Sequence, residues 1–484
     1  MPAAPCLSLA LACAPSRTAL RRTGARWAWG GVLAAVLTAC GGGDSPGPTV
    51  NPLALDTAYG QNGEVRTALD APNDGLGAAA VQADGKLLLA GWRQTAALPP
   101  CNYGGIGART LFVRRLNADG SMDTRFGKDG NQDFQVLGGD TVTDMQVQTD
   151  GRIVLAVQAS EPCVVTILNL RAPCTNAQDT SARTAGALVR LAPDGRPDPR
   201  FGEAGTALGP APSGNGTLAL AVQPDQKPLL LRSNSLPRAQ IFGWLLNRYL
   251  PDGQPDPDFN QGQPVPPQCR ADGQALALLP NGRIVAGGGP SVFYADPLVH
   301  PGICLEAYLP NGQPDPSYRP QAPWSQQGLN ASLKSLHALP DGRLLAGLQL
   351  CATADCQLAL ARFDAQGLPD PDFGTRGEVR FPAQTPTPFL VGVLPSRTGG
   401  AVLRSWQRMD DGTTAAPARY QAQWLRVNAQ GEPDTPLSPT ESPRPQRPLR
   451  LLQDPQGRWI TIDQAVRNDG TPELVVTRRQ GESR

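Results

Sequence analysis

The 484 residues carry 43 Lys+Arg against 42 Asp+Glu, a formal net charge of +1, which excludes a bulk polyanion binder and with it a nucleic-acid partner. Gly at 53 and Pro at 50 exceed ordinary usage while charge is sparse, so the composition points to many short strands joined by turns rather than to disorder. The only 2 histidines, His300 and His337, are too far apart for metal-ligand spacing, and neither a metal nor a cofactor is expected.

At the N-terminus, Arg21, Arg22 and Arg26 precede an apolar run from Trp27 that closes on Leu37-Thr38-Ala39-Cys40. The run is too short to span a bilayer comfortably and has the form of a cleaved secretory signal. Its ending resembles the bacterial lipobox, in which a small residue at the cut precedes a cysteine that becomes lipid-modified. Residues 1–39 are therefore expected to be a lipoprotein signal peptide, Cys40 the acylated first residue, and 40–52, rich in Gly, Ser and Pro, a flexible tether. Each buried methylene of an acyl chain contributes roughly 0.8 kcal/mol, so several chains on one cysteine hold a protein stably on a membrane. Gly41, where Asp would otherwise stand, resembles lipoproteins sent to the outer membrane.

From Leu55 onward a two-part phrase recurs. One part is a turn of the Asp-Gly-Arg kind, centred on Gly85, Gly151, Gln226, Gly282, Gly342, Gly399 and Gly457. The other is an Asp followed three residues later by an aromatic: Asp56/Tyr59, Asp123/Phe126, Asp198/Phe201, Asp256/Phe259, Asp315/Tyr318 and Asp370/Phe373, with a seventh Asp434 followed by Leu437. The two interleave at a period of roughly 60 residues, the signature of blades or coils. Between them lie short apolar runs such as Leu87–Ala90, Ile153–Ala156 and Leu344–Ala346, each entered through a hairpin turn. Four strands per repeat is the economical reading, and no long 3.6-residue period calls for helices.

Seven repeats of four short antiparallel strands give an all-β fold over residues 53–484, a seven-bladed β-propeller whose closure protects the strand edges. The repeat region opens with a marker unit, Leu55-Asp56-Thr-Ala-Tyr59-Gly60, and ends without one after Leu474–Arg478. An N-terminal strand that completes the last blade would therefore close the ring; an open β-solenoid, the competing architecture, would not need such matching ends. The motif Leu-Asp-x-x-aromatic-Gly-x-x-Gly at Leu55–Gly63, followed downstream by Gln-x-Asp-Gly-Lys/Arg and an apolar run, resembles the delta-60 repeat. That resemblance covers essentially everything after the tether. It implies a bacterial extracellular propeller in the cell envelope and supplies no catalytic residues. Gln226 and Pro228 in the third copy, Ser396–Gly400 in the sixth, and Leu437 depart from the pattern.

The stretch from marker Asp to turn Gly is nearly constant in length, whereas the stretch from turn Gly to the next marker carries insertions, chiefly at Gln94–Thr110 and Ala159–Gly186. Insertions at one point of a blade emerge on one face of a ring, which makes that face the candidate binding surface. Six of the seven cysteines beyond Cys40 lie in the variable halves. In an oxidising compartment they are expected as staples pairing Cys351 with Cys356, Cys163 with Cys174 and Cys269 with Cys304, each contributing roughly 2–4 kcal/mol, with Cys101 left over. Asn117–Asp123 has the look of a calcium loop, but Lys128 stands where the closing Glu belongs. Trp92, Tyr103 and Trp324 are aromatic candidates for holding a glycan or peptide.

The resulting expectation is a lipid-anchored envelope protein whose loop face binds a protein or polysaccharide. The alternative is a hydrolase or lyase acting on a sugar or lactone in the central channel, which requires convergent carboxylates or a metal at the axis.

Overall fold

The computed structural model describes residues 51–71, 73–94, 108–160, 164–167, 170–173, 184–209, 218–233, 243–267, 272–289, 303–320, 330–352, 355–410, 418–434 and 444–482. The first strand, β1 (Glu64–Ala68), belongs to the last blade. Blade 1 is β2 (Gly75–Val81), β3 (Leu87–Gln94), β4 (Arg109–Leu116) and β5 (Asn131–Phe134). Blade 2 is β6 (Thr141–Val147), β7 (Ile153–Ser160), β10 (Thr184–Leu191) and β11 (Thr206–Leu208), with a hairpin of β8 (Val164–Ile167) and β9 (Leu170–Pro173) inserted in its β7–β10 loop. Blade 3 comprises β12 (Leu218–Val222), β13 (Pro228–Ser233) and β14 (Trp244–Arg248), and blade 4 comprises β15 (Asp272–Leu278), β16 (Ile284–Gly289) and β17 (Cys304–Tyr308). Blade 5 is β18 (Asn330–Ala338), β19 (Leu344–Ala352), β20 (Asp355–Phe363) and β21 (Glu378–Arg380); blade 6 is β22 (Phe389–Pro395), β23 (Ala401–Arg408) and β24 (Tyr420–Val427). Blade 7 is β25 (Gln446–Gln453), β26 (Trp459–Val466), β27 (Pro472–Arg479) and, as its outermost strand, β1.

This is the expected seven-bladed β-propeller, and β1 closes it, pairing antiparallel with β27 from Glu64↔Thr477 to Ala68↔Glu473. The first strands of successive blades pack on one another around the axis, with β25 meeting β2 to complete the circle. Outer strands are uneven. Among the described residues the fourth strand of blade 3 is the bridge Leu246↔Val265, and that of blade 6 the bridge Tyr420↔Arg444. Pro264, Pro266 and Pro267 flank the first of these, and a proline cannot donate to a ladder. The third repeat's turn survives its substitution because Gln226 adopts the left-handed conformation (φ 67°) that glycine takes at Gly85 and Gly151.

Among the described residues there is no single core. Seven apolar clusters are found, one at each seam between blades, such as Leu88, Val113, Met145 and Leu155 between blades 1 and 2. What registers one blade on the next is polar. In blade 2 the marker Asp198, with a side chain only 2% exposed, accepts from Arg190 Nε at 3.0 Å and from Arg152 Nε at 3.0 Å. Arg190 lies over the Phe201 ring, 4.5 Å from its centroid, and donates onward to the Pro251 carbonyl of blade 3. Beside it Gly202 N–H donates to Asp252 O at 2.7 Å, and Phe201 packs so closely on Gly253 that a Cβ there would sit 3.1 Å from the ring. The two sequence markers are thus halves of one latch: the residue after the Asp-Gly turn is the second cation on the marker aspartate.

Blades 1, 3, 5 and 7 repeat this latch with Arg115/Lys86 on Asp123, Arg248/Lys227 on Asp256, Arg362/Arg343 on Asp370, and Arg478/Arg458 on Asp56. Blade 4 has Ala307 where the strand arginine should be, and there Arg283 from the turn does both jobs, reaching Asp315 at 2.7 Å, the Ala365 carbonyl of blade 5 at 2.6 Å and the Tyr318 ring at 5.1 Å. Blade 6 is the exception. Gly400 replaces the turn cation, Asp434 is 41% exposed, and Arg426 is shared between Asp434 at 3.2 Å and Glu482 of blade 7 at 4.0 Å.

The 6/7 seam is rebuilt by other means. Arg404, 1% exposed, forms a bidentate pair with Asp463 of blade 7 at 2.5 and 3.0 Å, and Trp424 stacks on Trp459 at 5.4 Å. At Arg404's place in the other six blades stand Ala90, Ala156, Leu231, Gly287, Gly347 and Ile462.

Removing one partner of a buried pair strands the other without solvent, so Asp198→Ala is expected to lower the unfolding free energy by about 3 kcal/mol. Asp434→Ala, at the solvated seam, is expected to cost less than about 1 kcal/mol. Urea titration of the two variants measures both. Acid provides a second check. Burial alone would raise the carboxyls of Asp123, Asp198, Asp256, Asp315 and Asp370, yet the hydrogen bonds and cations around them outweigh it and hold all five below the usual carboxylate range. The unfolded chain therefore takes up protons near pH ~4 that the folded chain still refuses, so this stability is present above that pH and is lost as pH falls through the lower folded values. Thermal unfolding between pH 6 and pH 3 is expected to show a steep loss confined to the region below about pH 4.

Candidate binding face

Antiparallel order fixes which loops share a face. The turns between first and second strands, and those between third and fourth, lie on one face and carry the latches. The loops between second and third strands, and the crossings to the next blade, lie on the other. On the latch face the backbone and charged groups are largely committed to the neighbouring blade. A hollow of about 370 Å³ there, between blades 2 and 3, is lined by Asp150, Arg152, Arg190 and Arg200, the rim of a latch.

Along the axis, six of the seven first strands carry a bulge at the same height, leaving Gly77, Thr143, Gln274, Lys334, Val391 and Leu449 as unpaired extra residues. Gly77 is required there, since a Cβ would sit 2.0 Å from the Val142 carbonyl of blade 2. Polar groups beside the bulges stitch first strands together. Asp144 Oδ2 accepts Leu220 N–H of blade 3 at 2.8 Å, Gln274 Oε1 accepts Leu333 N–H of blade 5 at 3.1 Å, and Arg450 donates to the Gly77 carbonyl. Burial pushes the Asp144 carboxyl up to about 6, against the pull of the Leu220 and Met145 N–H groups and of Arg450. Burial likewise lowers Arg450. The axis is thus mixed in charge, and among the described residues no three His, Cys, Asp or Glu side chains come together as metal ligands.

The other face holds the aromatic groups. Phe389 stacks on Trp406 with centroids 4.5 Å apart, Tyr420 meets Trp406 edge-on at 5.1 Å, and the guanidinium of Arg447 from blade 7 lies 5.6 Å from the Trp406 ring. Phe389 is 42% exposed, among the most exposed large apolar side chains of the described residues. Trp92, singled out in the sequence, is a packing residue: its ring fills the space over Gly75, its Nε1 donates to Asn73 O at 3.1 Å, and Arg109 covers it at 5.2 Å. Tyr103 and Trp324 lie outside the described residues. Sequence reasoning missed two loop anchors. Asp140 accepts the Val136, Leu137 and Gly138 N–H groups at 2.7 to 3.1 Å, and Asp74 accepts those of Asp70, Ala71 and Gln94. Each sits at the entry to a first strand, a position that could have been flagged. A cleft of about 850 Å³ opens between the outer edges of blades 2 and 3, beside the reduced fourth strand of blade 3, and is lined by Val136, Glu203, Leu208, Tyr249 and Pro264.

Of the expected staples, Cys351–Cys356 is formed, joining directly opposed residues of β19 and β20. Cys304 is also disulfide-bonded; Cys269, its expected partner, lies outside the described residues, as do Cys101, Cys163, Cys174, Cys40 and the whole of residues 1–50. His300 lies outside them too. His337 is half-buried on β18; desolvation brings its imidazole down to about 4 against a backbone hydrogen bond at Val393, and its Nε2 has no partner among the described residues. Among those residues no helix is long and apolar enough to cross a membrane.

A family model described as a domain of unknown function (DUF5122) beta-propeller matches residues 104–126, which include β4 and the first marker after it. No curated protein matches the chain. Solved structures to which it is similar include a family PL25 polysaccharide lyase, an ulvan lyase bound to a GlcA–Rha3S ligand, with a TM-score of 0.44, 9% identity and coverage of 86% of this chain and 96% of that one. The Dos1 propeller gives 0.39, 8%, 87% and 94%, and an α-L-arabinofuranosidase from Fusarium graminearum gives 0.37, 10%, 86% and 97%. At these identities and TM-scores no activity passes from these proteins to this chain.

The raised Asp144 carboxyl yields a prediction opposite in sign to that for the latch aspartates. Its folded form prefers the proton, so its ionisation destabilises the ring as pH rises from about 4 through 6. Asp144→Asn is therefore expected to gain on the wild type across that interval, by up to about 3 kcal/mol at pH 7. Urea midpoints of the two proteins at pH 4 and pH 7 give the difference.

Proposed function

We propose that this chain is an extracytoplasmic lipoprotein of the delta-60 repeat kind, anchored to the outer membrane through acylated Cys40, whose loop face binds a polysaccharide or protein of the cell envelope. The observation that carries the reading is the asymmetry of the ring. On the latch face the turns keep nearly one length, and their aspartates, cations and carbonyls are spent on the neighbouring blade. Length variation, the inserted hairpin β8–β9 and the exposed aromatic cluster all fall on the opposite face. A surface free of structural duties can diversify without opening the ring, and binding loops on rigid scaffolds are found on such surfaces. The lipobox and the Gly-rich tether support the anchor, and the tether would let the ring stand clear of the bilayer.

Two measurements test this. Cys40→Ser is expected to move the protein from the membrane fraction to the soluble fraction and to abolish incorporation of labelled fatty acid; unchanged fractionation would contradict the anchor. Replacing 95–107 and 175–182 by short Gly-Ser linkers is expected to leave thermal unfolding nearly unchanged while removing capture of solubilised envelope material. Full capture by the folded deletion variant would place binding elsewhere.

A further inference from the structure

The loop face of the 6/7 seam differs in chemistry from the rest of the ring. Phe389 opens β22 and Arg447 lies near the start of β25, so both stand where first strands begin, at the loop-side mouth of the axis. Phe389 and Trp406 are directly opposed residues of β22 and β23, so their stack is held by backbone pairing and not by loop conformation. Two residues back on the same face of β23, Arg404 is locked to Asp463 of blade 7. The buried pair and the Trp424–Trp459 stack thus fix this edge of the seam where the latch on the opposite face is weakest.

Charge supplies the second half. Arg444 and Arg447 are exposed, and neither has an ion-pair partner among the described residues. The nearby acid, Asp410, is already engaged by Arg408 Nε at 2.7 Å and Arg419 N–H at 2.7 Å. An exposed, preorganised aromatic ring presents a flat apolar surface that matches the C–H face of a sugar, and a guanidinium beside it, that of Arg447, matches a planar or tetrahedral anion bidentately.

Resting on the loop-face reading above, we propose that Phe389, Trp406 and Arg447, with Arg444, form a subsite for an anionic polysaccharide. A sugar ring packs against the aromatic stack, and its carboxylate or sulfate is held by the arginines. The chain's net charge of +1 makes this a local recognition element and not a general attraction to polyanions.

The test is affinity electrophoresis of the full chain carrying Cys40→Ser, in gels containing polygalacturonate, dextran sulfate or neutral dextran. Retardation by one or both anionic polymers and not by neutral dextran is expected, polygalacturonate alone indicating a carboxylate ligand and dextran sulfate alone a sulfate. Arg447→Ala and Phe389→Ala, both at exposed positions, are each expected to weaken binding at least tenfold with unfolding midpoints unchanged. Equal retardation by neutral dextran, no retardation by any of the three, or retention of binding in Phe389→Ala at full strength would overturn the proposal; the last would reduce the interaction to nonspecific electrostatics. The variant lacking 95–107 and 175–182 separates the two claims. If it loses envelope capture while neither anionic polymer binds wild type, the loop face stands, its partner is a protein and the polysaccharide subsite falls. If it keeps envelope capture while Phe389→Ala loses polymer binding, the subsite stands and the inserted loops are not the binding element.

Discussion

Five of the seven blades are registered on the next by a buried carboxylate held between two cations, and blade 4 by one held by Arg283 alone. The marker aspartate cannot stay ionised out of water unless it is paired, and one of its arginines spends its remaining donors on a carbonyl of the following blade. The aromatic three residues on lies under that arginine and against the next blade's turn glycine, so charge, ring and glycine are mutually dependent. Because the contact runs from blade to blade in one direction, closing the circle requires that the last blade carry a marker too. The N-terminus supplies it, placing Asp56 and Tyr59 against Arg478 and the Asp119–Gly120 turn of blade 1.

The seam between blades 6 and 7 shows how much of this can change. Here the third-to-fourth turn of blade 7 is assembled from two segments far apart in the chain, with Gln480 and Gly481 N–H donating to Ala54 and Pro52 carbonyls. A turn without covalent continuity is a poor anchor for a latch, and on that face the latch is relaxed. The Arg404–Asp463 pair and the stacked tryptophans join the two blades further in. An edge made rigid by different means is also free to carry different surface chemistry, which is where the aromatic and arginine groups of the loop face are found.

Fold was largely legible in the sequence because both markers recur at one period, and their permuted ends implied closure by an N-terminal strand. Their relation to each other was not legible. They lie far apart in the chain, and only pairing of the second and third strands brings Lys86 to Asp123 or Arg152 to Asp198. A further signal stood in plain view: an arginine eight residues before the marker aspartate, as in Arg115/Asp123, Arg190/Asp198, Arg248/Asp256 and Arg362/Asp370. The site was harder. Trp92 looked like a loop aromatic but plugs the space over Gly75, while Phe389, Trp406 and Tyr420 are scattered in sequence and meet only through the register of three strands.

Hydrogen exchange at the latch amides tests the account most directly. The N–H groups of Gly127, Gly202, Asn260, Arg319 and Gly374 sit in surface turns yet donate to the neighbouring blade at 2.7 to 2.9 Å. If the latches hold the ring, these amides exchange only with global unfolding, as slowly as the inner strands. Exchange as fast as that of the Arg467–Gly470 turn on the opposite face would show that the blades are held by their apolar seams alone, and the latch would lose its place at the centre of the structure.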